Sequence, residues 1–217
     1  MAELLPTRYQ TAVFYVVPLM HLTGFLGAQF PAAAPLFRAL TPFHLTLTLL
    51  FLLSFHANWN KAAIFYTFLA TLTGFVVEVL GVQTGLIFGS YHYGATLGWK
   101  WLEVPLLIGV NWFVLTYCAG IVANQLPIPN ILKAAAAAAL VTILDVFIEP
   151  VAIRNDFWNW QNNIIPLQNY AAWFLISWLL LFIFYKLPFR KENKLAALLL
   201  VVQAVFFAAQ CLTYWLD

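Results

Sequence analysis

The chain has 217 residues, of which 64% are hydrophobic and only 8% charged, with a net charge of +2 and a mean hydropathy of +0.86. A soluble domain carries about 25% charged residues, so this composition excludes one, and no polar stretch is long enough to build a core of its own. The expectation is an all-α, polytopic integral membrane helix bundle, one domain over residues 1–217, with the lipid bilayer as its surroundings and no nucleic-acid partner.

The opening MAELLPTRYQ begins with an acid and leads to no small-residue cleavage site, so a cleavable signal peptide is not expected. A membrane span needs about 20 mainly apolar residues. Seven stretches qualify, at roughly 10–29, 41–57, 62–80, 102–124, 131–149, 170–187 and 195–214. Proline and glycine mark the joints: Pro31 and Pro35 follow the first span, Pro42 opens the second, Pro127 and Pro129 precede the fifth, and Pro166 and Pro188 bracket the sixth. Asn130 is expected to cap the fifth helix, whose KAAAAAAL start supplies small residues for close helix approach. Trp59, Trp99, Trp101, Trp158, Trp160, Tyr214 and Trp215 gather at segment ends, as interfacial belts do.

From inside the third span to inside the fourth runs a Gly-rich polar segment, Gly74 to Trp112, the most polar part of the chain. Glu78 stands there inside an apolar run, and Gln83, Thr84, Tyr91, His92 and Tyr93 lie between Gly81, Gly85, Gly89, Gly94 and Gly98. A carboxylate within hydrocarbon is expensive, which makes Glu78 a functional candidate. Asp145 and Glu149 close the fifth span four residues apart, on one helix face, and Pro150 is expected to stop that helix. Antiparallel neighbours then put Glu78, Glu103, Asp145, Glu149 and Asn169 at one depth. Two carboxyls held close in an apolar setting do not both ionise easily, so one retains a proton, the state a general acid needs.

With seven spans, the loops on the amino-terminal side hold Arg8, Lys61, Lys133, Lys186, Arg190, Lys191 and Lys194, against Arg38, Lys100 and Arg154 on the other. This puts the amino terminus in the cytoplasm of a multi-pass protein of the cell membrane. The acids divide the other way, with only Glu3 and Glu192 on the amino-terminal side and Asp156 and Asp217 joining the opposite half.

Several chemistries lack their signatures. His21, His44, His56 and His92 show no HxxxH spacing, and there is no GxGxxG, P-loop or DDxxD, so di-iron oxygenation, dinucleotide redox, nucleotide hydrolysis and prenyl transfer are disfavoured. The seventh span has no lysine for a retinal Schiff base. His21 and His44 are expected to be structural partners of neighbouring helices. Cys118 and Cys211 sit in apolar runs and read as buried thiols.

Four pieces carry a resemblance: EVLGVQTGLIFGSYHYG (78–94), VPLLIGVNW (104–112), DVFIEPVA (145–152) with WNW (158–160), and IPLQNYAAWF (165–174). Together they resemble the membrane-bound carotenoid hydratases, the family that includes gamma-carotene 1',2'-hydratase and bisanhydrobacterioruberin hydratase. The departures are Glu149-Pro150, where Asp-Pro is expected, and the lack of a glycine near Asn155 or Asp156. The resemblance implies addition of water across the terminal double bond of an acyclic carotenoid end group, giving a tertiary alcohol without a cofactor or metal. Other carotenoid-synthesis enzymes are the expected partners. The residues suit that chemistry. Glu78, Asp145 and Glu149 can supply acid and base, and Tyr91, Tyr93, Trp112 and Trp173 can face a cation through their rings. Gln83, Thr84, His92, Asn111 and Asn169 can hold water or substrate. A lycopene-type cyclase shares the protonation step, and a transporter or proton relay could use the same carboxylates; internal repeats and acids spread through the bilayer, which a transporter favours, are not seen.

Overall fold

The computed structural model describes residues 7–216; Glu3, Asp217 and the side chain of Trp215 lie outside the described residues. Among the described residues, seven helices are long and apolar enough to cross a membrane, and the protein is a multi-pass integral membrane bundle. They are α1 (Thr7–Gln29), α2 (Ala34–Ser54), α3 (Lys61–Thr84), α4 (Leu106–Ala123), α5 (Asn130–Arg154), α6 (Leu167–Lys186) and α7 (Lys194–Leu216). The hub is α4, which packs on α2, α3, α5, α6 and α7. Its apolar window is 72% buried against 11% for α2, so α4 faces protein and α2 mostly faces lipid. Ala134, Ala137 and Ala138 are fully buried, as close helix approach requires.

The helix ends differ from expectation in ways that bear on the site. The second helix begins at Ala34 rather than at Pro42, because Pro35 sits in the first turn, where a missing N–H costs nothing. Asn130 makes no cap; Pro129 occupies the N-cap position without a side-chain bond. Pro150 does not stop α5, which runs one more turn to Arg154; close to a helix end, a proline has few following turns to disturb. The third helix outlasts its expected end by one turn, capped at its start by Asn60 Oδ1 on the Ala63 amide. It closes at Gly85, whose φ of +67° is open to glycine and whose N–H meets the Gly81 carbonyl.

The Gly-rich segment is built from short antiparallel strands: β1 (Tyr91–Tyr93), β2 (Lys100–Trp101) and β3 (Val104–Pro105). A fourth, β4 (Trp158–Trp160), follows α5 and pairs with β1, placing Tyr91 opposite Trp160, His92 opposite Asn159 and Tyr93 opposite Trp158. Bonds from the Gly94 amide to the Phe157 carbonyl and from the Gln161 amide to the Ser90 carbonyl extend that ladder at both ends. At the opposite end of the bundle, Asn193 joins α2 to α4 through the Leu52 carbonyl and the Tyr117 hydroxyl, which also meets His56 Nδ1 at 2.6 Å.

Candidate active site

Side chains alternate across a strand, so the β1–β4 pair presents Tyr91, Tyr93, Trp158 and Trp160 on one face and His92 and Asn159 on the other. The first face lies over the carboxyl-bearing ends of α3 and α5. Tyr91 and Tyr93 donate to Glu78 Oε2 at 2.5 and 2.7 Å, and Trp112 Nε1 on α4 donates to Oε1 at 2.9 Å. Trp158 and Trp160 donate through their indole N–H to Glu149 Oε2 at 2.9 and 2.7 Å. The strand pair therefore clamps two carboxyls with four aromatic donors. Burial, and then the Glu78 charge, push both phenols above the ordinary tyrosine value, so each remains a donor.

Asn169, in the first turn of α6, holds the rest together. Its amide nitrogen donates to Asp145 Oδ2 at 3.0 Å and to Glu149 Oε1 at 3.1 Å. Glu78, Asp145 and Glu149 are each at most 3% exposed. Their surroundings are unequal. Glu78 and Glu149 have donors on both oxygens, the environment of a carboxylate, whereas Asp145 Oδ1 is buried with no hydrogen-bond partner among the described residues.

Trp112 also stacks on Trp173, with ring centres 3.9 Å apart and planes within 4°. Its position depends on Gly74, one turn before Glu78: a Cβ there would lie 2.3 Å from that of Trp112. Glu78, Asp145, Glu149, Tyr91, Tyr93, Asn111, Trp112, Asn169 and Trp173 all line one cavity of about 350 Å³, whose other walls are largely apolar and include Phe88 and Leu115.

Not every residue expected here reaches the cavity. Gln83 and Thr84 are exposed on the last turn of α3, with the Thr84 hydroxyl bonded to its own helix at Leu80. His92 points from the far face of β1 and is exposed. Glu103 does not open α4; it sits in the turn between β2 and β3 at a φ of +67° and is exposed. Trp158 and Trp160, expected in an interfacial belt, belong to the site instead. The signal that could have placed them is the polar-flanked WNW alternation nine and eleven residues after Glu149. His21, His44, Gln203 and Gln210 line the same cavity from α1, α2 and α7. The signal that marks the two glutamines is the same rarity of polar groups in an apolar helix.

Residues 37–216 match the family described as carotenoid biosynthesis protein. A bisanhydrobacterioruberin hydratase from Haloarcula japonica is 31% identical over 113 residues, covering 48% of this chain and 39% of the relative. The chain thus aligns with about two fifths of the length of that curated relative. No solved structure matches the chain.

Proposed function

The chain belongs to the family of carotenoid biosynthesis proteins, and on that premise we propose that it hydrates the terminal double bond of an acyclic carotenoid to a tertiary alcohol. The observation that carries the reading is the inequality of three buried carboxyls in one apolar cavity. Asp145 has a buried oxygen free of donors among the described residues, which makes it the carboxyl that keeps a proton, whereas Glu78 and Glu149 are bonded as anions. The similarity to a hydratase supports the same reaction class.

In this mechanism the Asp145 proton passes to the less substituted alkene carbon, leaving a tertiary cation on its neighbour. The Glu78 carboxylate and the faces of the stacked Trp112–Trp173 pair stabilise that charge as it develops. Water attacks the cation through oxygen and gives up a proton to Glu149. Asp145 and Glu149, bridged by Asn169, then share one proton again, and the product differs from the substrate by one water with no change of oxidation state. A cyclase would protonate the same way but return an isomer of unchanged mass.

The cell membrane is the proposed location, with the amino terminus cytoplasmic, all of residues 1–217 acting as one domain, and other enzymes of carotenoid synthesis as neighbours. No cofactor or metal enters the scheme, so chelators should leave the rate unchanged. The test is substitution at the acid: Asp145→Asn keeps shape and hydrogen bonding but loses the transferable proton, and should lower hydration by about 10²–10⁴-fold with pigment binding retained. Glu78→Gln should fall comparably. Hydration at the native rate in Asp145→Asn rules out this assignment.

A further inference from the structure

The cavity has a second polar station that the proposed chemistry does not use. It is formed by His21 on α1, His44 on α2 and Gln203 on α7. Gln203 stands in an otherwise apolar stretch of α7, is 7% exposed, and its side-chain oxygen has no hydrogen-bond partner among the described residues. Leaving such an acceptor dry costs about 1–3 kcal/mol, so a donor is expected there. Phe206, one turn further along the same helix, packs edge-on against His21 with ring centres 5.8 Å apart, so the face of α7 that carries Gln203 and Phe206 meets α1 along this cavity.

The histidines specify what kind of group that donor belongs to. His21 Nδ1 lies 2.9 Å from the Val17 carbonyl, which can only accept, so Nδ1 carries the hydrogen and the neutral ring presents Nε2 as an acceptor. His44 Nε2, 3.4 Å away, donates to it. The neutral His44 ring is then left with a lone pair on Nδ1. The station therefore offers acceptors, the Gln203 oxygen and the His44 nitrogen, within a cavity whose walls are mainly apolar. That combination rejects anions and suits an O–H group. Gln210, two turns along α7 and 2% exposed, lines the same cavity, and its oxygen accepts from the Tyr214 hydroxyl, which accepts in turn from Asn155.

We propose that His21, His44 and Gln203 form a binding site for an O–H group, either a water molecule or an alcohol carried by the isoprenoid ligand. The site deepens the hydration reading and rests on it only for its use, since water is the second substrate there and an alcohol would define a class of end group. Binding itself does not depend on turnover.

The experiment uses the full chain purified in detergent, with Gln203→Met and Gln203→Leu as apolar variants and Gln203→Glu as one that keeps an acceptor. Radiolytic labelling in heavy-oxygen water reads water held against Phe206; in parallel, binding of lycopene is compared with that of its singly hydrated tertiary alcohol. If the station holds water, Phe206 labelling falls about five- to tenfold in the apolar variants, the worth of one buried hydrogen bond, and persists in Gln203→Glu. If it holds an alcohol, the native protein prefers the hydrated pigment by a similar factor and the apolar variants lose the preference. Equal labelling in all four proteins together with no preference for the alcohol overturns the proposal. The labelling uses no pigment, and for the binding comparison Asp145→Asn is added to all four proteins so that lycopene is not turned over; an absence of hydratase activity would therefore count against the reaction and leave this site standing.

Discussion

Asn169 has two amide hydrogens and gives one each to Asp145 and Glu149, so a single side chain sets how two acids face one cavity. Trp158 and Trp160 then fix Glu149 from the other side through a shared oxygen. Trp160→Phe keeps the ring and removes the N–H, leaving a buried carboxylate one donor short. It should cost about 1.5–3 kcal/mol, read as a lower melting temperature in detergent together with reduced product formation; unchanged melting and unchanged activity would show that the clamp is idle. Glu78, Asp145, Glu149 and Asn169 were legible in the sequence because polar groups in apolar helices are rare and costly. Gln83, Thr84 and His92 were misleading neighbours. Gln83 follows Glu78 by five residues, which turns it about 140° around the helix, and His92 alternates away from the two tyrosines on its strand. In the sequence Gly74 marks only the start of the polar segment; that it makes room for Trp112 depends on packing between helices, which no local pattern carries.

The helices themselves were readable from run length and punctuation, because a bilayer demands long apolar segments. Their ends were not. Pro42 and Pro150 both lie within helices, where the surroundings tolerate them. The β1–β4 pair is too short to announce itself and joins segments more than sixty residues apart, so its register exists only through the fold. The loop after α2 carries the clearest pH dependence. Burial pushes His56 down to about 4 from its ordinary 6.5, so the fold prefers the neutral ring that meets Tyr117. Its contribution is complete above pH 6.5 and is lost as the pH falls toward 4, where the unfolded chain binds a proton that the folded one resists. The melting temperature of the native protein should therefore drop across that window more steeply than that of His56→Asn. Parallel slopes would remove His56 from the account.

Glu78, Asp145 and Glu149 share one end of the bundle, while Lys61, Lys133, Lys186 and Lys194 stand at the other, and the proposed orientation is read from that asymmetry. Reporter fusions should place the amino terminus in the cytoplasm and the carboxyl terminus across the membrane; both termini on one side would contradict seven crossings. The family match begins at residue 37, within α2, yet His21 on α1 lines the cavity, so the site draws on more of the chain than the matched part. That the cavity joins α1, α2 and α7 to the acids was not legible in the sequence, because helices distant in order meet only in the packed bundle. In the proposed reaction the hydroxyl arises from water added to an alkene. Incubation of the protein with an acyclic carotenoid in heavy-oxygen water, under ordinary air, should give an alcohol heavier than its substrate by one heavy water. An isomer of unchanged mass, or a hydroxyl whose oxygen comes from the air, would contradict it.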